Sequence, residues 1–225
     1  MIEPELLDWQ IAEAEAIGRV FSAGAWASEC RAEFRAQAPG PADARSWLLD
    51  NVRAADLVVL GRNDPRVIRP DDRHLQEAAI RDGGRPVLLL PEGAGLAAPA
   101  RQVLIGWSAT REAARAAHDV LALAAPRAGI TLLRVHDRVG AASQTPDARR
   151  DLAAALDRLG FDVELLDRDA PAGETGGALL RAALETGADL VATGAFGHSR
   201  AYDFVIGAVT RHLLDHADVP ILLSK

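Results

Sequence analysis

Two hydrophobic rhythms alternate along the chain. Short, mostly apolar runs, such as VLI at 103–105, ITLL at 130–133 and ILL at 221–223, are separated by longer stretches where alanine and leucine recur every three or four residues. A strand buried on both faces reads as a continuous apolar run, whereas a helix on a sheet shows the three-to-four spacing. On this pattern Gln102–Trp107 is a strand. Thr110 caps a helix running to about Ala125, with Ala113, Ala117 and Leu121 along one face. Ile130–Val135 is a second strand. Pro146 sits in a first helical turn behind Thr145 as cap, and that helix ends near Leu159 at Gly160. Phe161–Leu166 is a third strand, Glu174–Thr186 a helix stopped by Gly187, and Leu190–Thr193 and Ile221–Leu223 are the fourth and fifth strands. The alternation predicts an α/β fold with a parallel sheet covered on both faces.

The first part is shorter. Glu5 to about Ala25 reads as helix, Cys30–Phe34 as strand and Ala42–Ala54 as helix. The segment Ala55–Pro91 (ADLVVLGRNDPRVIRPDDRHLQEAAIRDGGRPVLLLP) then resembles Ala188–Lys225 (ADLVATGAFGHSRAYDFVIGAVTRHLLDHADVPILLSK). Each is a buried strand, a loop, a helix and a second strand opened by a proline, Pro86 or Pro220, where no ladder N–H is lost. A repeated unit implies two related lobes. Aligned on the second lobe, the first lacks the counterparts of the first strand, first helix and second strand. Residues 1–91 therefore read as a partial lobe, 92–100 (EGAGLAAPA) as a linker and 101–225 as a complete lobe.

Composition narrows the chemistry. The 225 residues are 49% hydrophobic and 25% charged, ordinary for a soluble globular protein. A net charge of −7 argues against a broad nucleic-acid surface. Lys225 is the only lysine, so there is no lysine-bearing phosphate loop and no interior Schiff-base lysine. Cys30 is the only cysteine, which forbids an intramolecular disulfide and fits a reducing, cytoplasmic setting. The opening MIEPELLDWQ is acidic without an apolar core, unlike a signal peptide, and no apolar run is long enough to span a membrane.

The informative loop is Gly194, Ala195, Phe196, Gly197, then nine residues to Gly207, Ala208, Val209 and Thr210. It leaves a buried strand and enters a helix. Glycines there let the backbone approach a phosphate, and the helix start supplies N–H donors at the positive end of its dipole. Tyr202, Phe204, Val205 and Ile206 suit pinning the loop to the lobe.

This loop resembles that of the universal stress protein family, whose pattern after the fourth strand is G-x2-G-x9-G-[ST]. AVTRHLLDHADVPILL and QVLIGWSATREAARAAHDVL are similar to the family's last helix and strand and its first strand and helix. The resemblance covers residues 101–225, with 1–91 as a degenerate copy. It implies the adenine nucleotide alpha hydrolase-like fold: an open parallel sheet ordered 3-2-1-4-5, helices on both faces, and here a partial related lobe. It implies an adenine nucleotide such as ATP as ligand, held around Ser108, Val135, Gly194, Gly197, Gly207, Ala208, Val209 and Thr210. Two positions depart from the ATP-binding members. Ser108 stands where they have an Asp near the adenosine, and Ala208 where they have a phosphate-contacting Ser or Thr. Losing both contacts weakens binding by about 2–4 kcal/mol. In the first lobe Gly61 is present without the later glycines, and Asp64, Asp71 and Asp72 would repel phosphate.

Other candidates read as structural. His212 and His216 share a helix face at zincin spacing, but without the Glu or a third ligand they read as surface histidines, with no metal assigned. His198 reads as a solvated loop histidine. His136 and Asp137 follow the second strand, either lining the site or as a polar strand end. Asp64, Asp71 and Asp72 read as an acidic turn with Asp72 capping the next helix. Trp9, Trp26, Trp47 and Trp107 follow no stacking pattern, and Trp107 reads as core. Neither a nucleophile elbow nor a dinucleotide fingerprint is present, and no general base is visible near the loop, so no catalytic residue is assigned. Two functions follow: a nucleotide-responsive stress regulator, or a dimeric interaction scaffold that has lost the nucleotide, with a partner protein not identifiable from sequence; a third, a slow ATPase, stays open with little support from the residues. A homodimer is expected, with the tandem contact made internally between Val87–Leu90 and Ile221–Leu223, and the truncated lobe left with exposed sheet edge.

Overall fold

The structure, a computed structural model, describes residues 4–24, 30–36, 44–62, 72–94, 99–137, 148–196 and 207–225. The chain divides into two compact units, Met1–Trp47 and Leu48–Lys225. The first unit is built on helix α1 (Pro4–Ala23), where Phe21 and Phe34 pack with ring centroids 5.8 Å apart. The strand expected at Cys30–Phe34 does not form. Residues 30–36 are irregular and every one is exposed; their alternating pattern suits a strand, but among the described residues no strand pairs with them, and Phe34 meets Phe21 of α1 instead.

The second unit contains the sheet. Its elements are α2 (Ala44–Arg53, which starts in the first unit), β1 (Val58–Gly61), α3 (Asp72–Asp82), β2 (Val87–Leu90), β3 (Ala100–Gly106), α4 (Arg111–Asp119), β4 (Ala124–Asp137), α5 (Ala148–Arg158), β5 (Asp162–Ala170), α6 (Thr175–Thr186), β6 (Leu190–Gly194), α7 (Ala208–His216) and β7 (Ile221–Ser224). Among the described residues the strands form one sheet ordered β1-β2-β7-β6-β3-β4-β5. The last five strands are mutually parallel and stand in the 3-2-1-4-5 order of a single lobe. Two first-lobe strands, not three, extend it, because Cys30–Phe34 stays irregular. β1 is parallel to β2, and β2 is antiparallel to β7, with Val87 opposite Leu223 and Leu89 opposite Ile221. That is the internal contact expected between the two repeats.

The central strands are buried on both faces, as their unbroken apolar runs require. One face packs Val52, Ile80, Leu179, Leu213 and Leu214 of α2, α3, α6 and α7. The other packs Ala117 of α4 and Leu152 and Leu156 of α5. The prolines act as expected: the carbonyls of Pro86 and Pro220 accept from Val58 and Val191 at 3.0 and 2.9 Å and start the ladders. At the far end of α7, Arg62 donates to the Asp215 carbonyl at 2.9 Å and Arg73 pairs with the Asp215 carboxylate at 2.6 Å. Both arginines sit where the helix dipole is negative.

Candidate functional site

β3 is the turning point of the sheet. α4 leaves its C-terminal end for one face, and α7, following β6, packs on the other. A crevice therefore opens above the ends of β3 and β6, where open α/β sheets take ligands. Its volume is about 490 Å³, and Gly106, Trp107, Ser108, Thr110, Leu133, Val135, Thr193, Gly194, Phe196 and Gly207–Thr210 line it. A larger groove of about 640 Å³ at the opposite strand edge is bounded by Arg101, Arg127, Asp162 and Glu164. Its charges are of mixed sign and no helix start faces it, so we assign the site to the smaller cleft.

On the β3 side, Thr110 is the N-cap of α4 and its hydroxyl accepts from the Ala113 N–H at 3.2 Å. The Ser108 hydroxyl lies 3.2 Å from that same oxygen. The residue standing in place of an Asp is thus a neutral group folded onto a helix cap. Glu112 follows, only 5% exposed, with Arg111 on its carboxylate at 2.6 Å. Burial alone would raise its pKa, but hydrogen bonds from Arg111, its own backbone N–H and Thr110 outweigh burial and hold it below the ordinary value.

Gly194 has a packing role that the sequence did not signal. A Cβ there would sit 2.6 Å from the Ala113 nitrogen and 2.8 Å from the Glu112 Cβ. The glycine allows the close approach of α4 to β6, and it also lines the cleft. At Gly106 a Cβ would meet Leu179 at 2.7 Å, so α6 closes the cleft floor. Phe196 adopts a positive φ of 63°, and Lys225 Nζ lies 5.4 Å from its ring centroid.

On the β6 side, Gly207 caps α7 with open space around it. The first helical bond runs from Arg211 N to Gly207 O at 3.0 Å, so the N–H groups of Ala208, Val209 and Thr210 have no intrahelical acceptor. They form a neutral cradle at the positive end of α7, fitted to an anionic group. Ala208 adds no hydroxyl. Thr210 is 2% exposed yet still borders the cleft.

Of the eight residues singled out from sequence, Ser108, Val135, Gly194, Gly207, Ala208, Val209 and Thr210 meet around this cleft. Gly197 lies outside the described residues, as do His198, Tyr202, Phe204, Val205, Ile206, Asp64 and Asp71. Trp107, Thr193 and Leu179 complete the walls. Trp107 lines the cleft and also packs against the core, a double role the sequence did not signal. His136 faces away from the cleft: its Nε2 meets Asp167 Oδ1 at 2.7 Å, and Arg149 holds the other carboxylate oxygen at 2.8 Å. Burial works against the Asp167 charge, but Arg149 and His136 outweigh it and keep the carboxyl below its usual range. His212 is half-buried and His216 exposed. His212 presses on Gly176 of α6, and its ring stacks on His216 with centroids 4.4 Å apart. Among the described residues no group of three or more His, Cys, Asp or Glu is placed to hold a metal. None of their helices is long and apolar enough to cross a membrane.

The chain resembles solved structures of the same architecture. A universal stress protein from Archaeoglobus fulgidus DSM 4304 superposes with a TM-score of 0.74 at 16% identity, over 100% of this chain and 80% of that one. Protein PA1789 of Pseudomonas aeruginosa PAO1 superposes with a TM-score of 0.52 at 18% identity, over 80% of this chain and 67% of that one. No curated protein matches the chain. The sequence profile of the universal stress protein family matches residues 99–225, more than half the chain. With that match on the lobe that carries the cleft, the chain belongs to the universal stress protein family.

Proposed function

We propose that the chain is a cytoplasmic, universal-stress-type regulatory protein whose C-terminal lobe takes an adenine nucleotide weakly, with residues 1–91 a degenerate partial lobe. The observation that supports this is the cleft itself: a hydrophobic wall of Leu133, Val135 and Trp107 opposite the N–H groups of Ala208–Thr210, which have no intrahelical acceptor. The apolar side suits a base and the helix start suits a phosphate. Binding would bias a conformational or partner equilibrium, since no general base is assigned. Calorimetry with ATP tests it. The native chain should bind at roughly high micromolar affinity or weaker, and Ser108→Asp with Ala208→Ser should tighten binding at least about tenfold, each restored contact contributing ~1 kcal/mol or more. Gly197→Asp should abolish binding in both backgrounds.

One observation favours a second reading, a dimeric scaffold without nucleotide. The Ser108 hydroxyl is already engaged with Thr110, so position 108 offers the adenosine side neither a carboxylate nor an uncommitted hydroxyl. Low-micromolar binding by the native chain would remove the scaffold reading. A folded double variant that gains nothing would remove the nucleotide reading. In either case we propose a homodimer.

A further inference from the structure

The larger groove, about 640 Å³, lies where β3, β4 and β5 begin, at the opposite ends of the strands from the cleft. The backbone that frames it is irregular. Ala100 pairs with Ala124 and the next pairing is Gln102 with Gly129, so residues 125–128 stand against Arg101 alone and β4 bulges. Arg127 holds a φ of 62° in that bulge, directly after Pro126. A proline followed by a left-handed residue is a turn pattern that favours glycine or asparagine at the second place. Arginine stands there against its local preference, and it borders the groove.

The strand register builds the floor. Gln102, Gly129 and Asp162 are partners across β3, β4 and β5, and Leu104, Thr131 and Glu164 are partners two residues further on. Side chains two apart share a face, so both sets point to the face on which Leu104 joins Leu179 of α6 in one buried cluster. A Cβ at Gly129 would collide with Gln102 Oε1, so the glycine leaves a gap that the Gln102 amide enters. Thr131 is 9% exposed and lines the groove, yet its hydroxyl has no hydrogen-bond partner among the described residues. Polar groups buried this far are normally satisfied. Four charges flank the floor: Arg101 on β3 and Arg127 on the bulge, Asp162 and Glu164 on β5. All four are exposed, and their side chains make no ion pair or hydrogen bond with a described residue. Across the order β3, β4, β5 the positive charges therefore come first and the negative ones last. A simple anion or cation would meet a wall of its own sign. A free α-amino acid carries both charges on one carbon and cannot reach both walls. β3 and β5 are two strand spacings apart, about 10 Å, which is also about the span of three extended residues.

We propose that this groove binds a short zwitterionic peptide of about three residues. Arg101 and Arg127 hold its terminal carboxylate, Asp162 and Glu164 hold its ammonium, and the Thr131 hydroxyl and Gln102 amide meet its backbone. The site is separate from the cleft and independent of the nucleotide reading.

The probe is trialanine, titrated into the full-length protein and followed by saturation-transfer NMR. Trialanine should bind. Its N-acetylated and C-amidated forms should each bind at least about tenfold more weakly, because each has lost one of the two charges. Free alanine should also bind more weakly than trialanine. Arg127→Gly separates a ligand contact from a structural role. Glycine takes a φ of 62° without strain, so this variant should melt no lower than the native chain while binding trialanine at least about tenfold more weakly. Glu164→Gln, at an exposed position, should weaken trialanine but leave the N-acetylated form unchanged, since that form has no ammonium to lose. It carries the test if Arg127→Gly does not fold. No trialanine binding at millimolar ligand overturns the site, as does equal binding of trialanine and its capped forms. Alanine binding as tightly as trialanine overturns the two-walled arrangement. Folded Arg127→Gly and Glu164→Gln variants that bind trialanine as the native chain does would overturn the assignment of these charges.

Discussion

At the scale of single residues, close approach separates the glycines that the sequence groups together. A Cβ at Gly194 would meet backbone atoms of α4, which cannot swing aside as a side-chain tip can. Gly194→Ala should therefore cost about 1–3 kcal/mol of stability by overpacking, measured by denaturant unfolding. Gly207→Ala, with open space, should cost less than about 1 kcal/mol. Equal costs would mean that α4 does not sit against β6 as described. His212 carries a pH dependence. Burial first, then the positive potential of His216 and Arg181, lowers its pKa from 6.5, with Asp215 opposing. A lowered histidine pKa means that the fold favours the neutral ring. Its stabilisation is thus full above the ordinary value and is lost as pH falls from there through the folded pKa. Between about pH 7.5 and about pH 5 the native chain should lose more melting temperature than His212→Gln. Equal losses would assign the acid sensitivity to another group.

At the scale of elements, the strongest local signals were legible and the boundaries were not. Thr110, Pro86, Pro220 and Gly187 announce a cap, two strand starts and a helix stop through side-chain and backbone chemistry that acts over a few residues, and each does so in the structure. The end of α4 was hidden because VLALAA continues the helical rhythm. The chain instead tightens into a 3-10 turn at Val120–Leu123 and enters β4 directly at Ala124. β4 and β5 run further than their apolar cores, to Asp137 and Ala170, because polar pairs support the ends. Arg149 bridges the Leu166 carbonyl and Asp167, and Arg168 reaches Glu185 at 2.9 Å, contacts that only the fold creates. The cleft was legible where glycine spacing marked it, at Gly207–Thr210. It was invisible at Trp107, Thr193 and Leu179, which carry no motif. The Thr110 cap joins the two levels. Thr110→Ala should destabilise by about 1 kcal/mol through the orphaned Ala113 N–H, and it also frees the Ser108 hydroxyl. If Ser108 is held out of the cleft by Thr110, this variant should bind ATP no more weakly than the native chain despite its lower stability. A large loss of affinity would show instead that the cap itself serves the ligand.

At the scale of the whole molecule, β2 covers the edge of β7. Ile221, Leu222 and Leu223 are fully buried, with Val87, Leu88 and Leu89 directly opposite. The carbonyls of Pro220 and Ser224 are taken by Val191 and Ala195 of the β6 side, so Ile221 and Leu223 direct their amides and carbonyls at β2. Residues 99–225 contain five strands of the sheet and the cleft, and the family match covers that span. Expressed alone, this fragment should fold, but it would expose a flat apolar edge with no lysine or proline at 221–223. The unpaired groups of Ile221 and Leu223 are symmetric about Leu222, and the antiparallel sense of β2 against β7 is also the sense a two-fold axis imposes. The fragment should therefore dimerise through β7, an edge that β2 occupies in the full chain. Light scattering on the folded fragment tests this. A folded, monomeric 99–225 fragment would show that β7 needs no partner, and that β2 extends the sheet for another reason than to cover it.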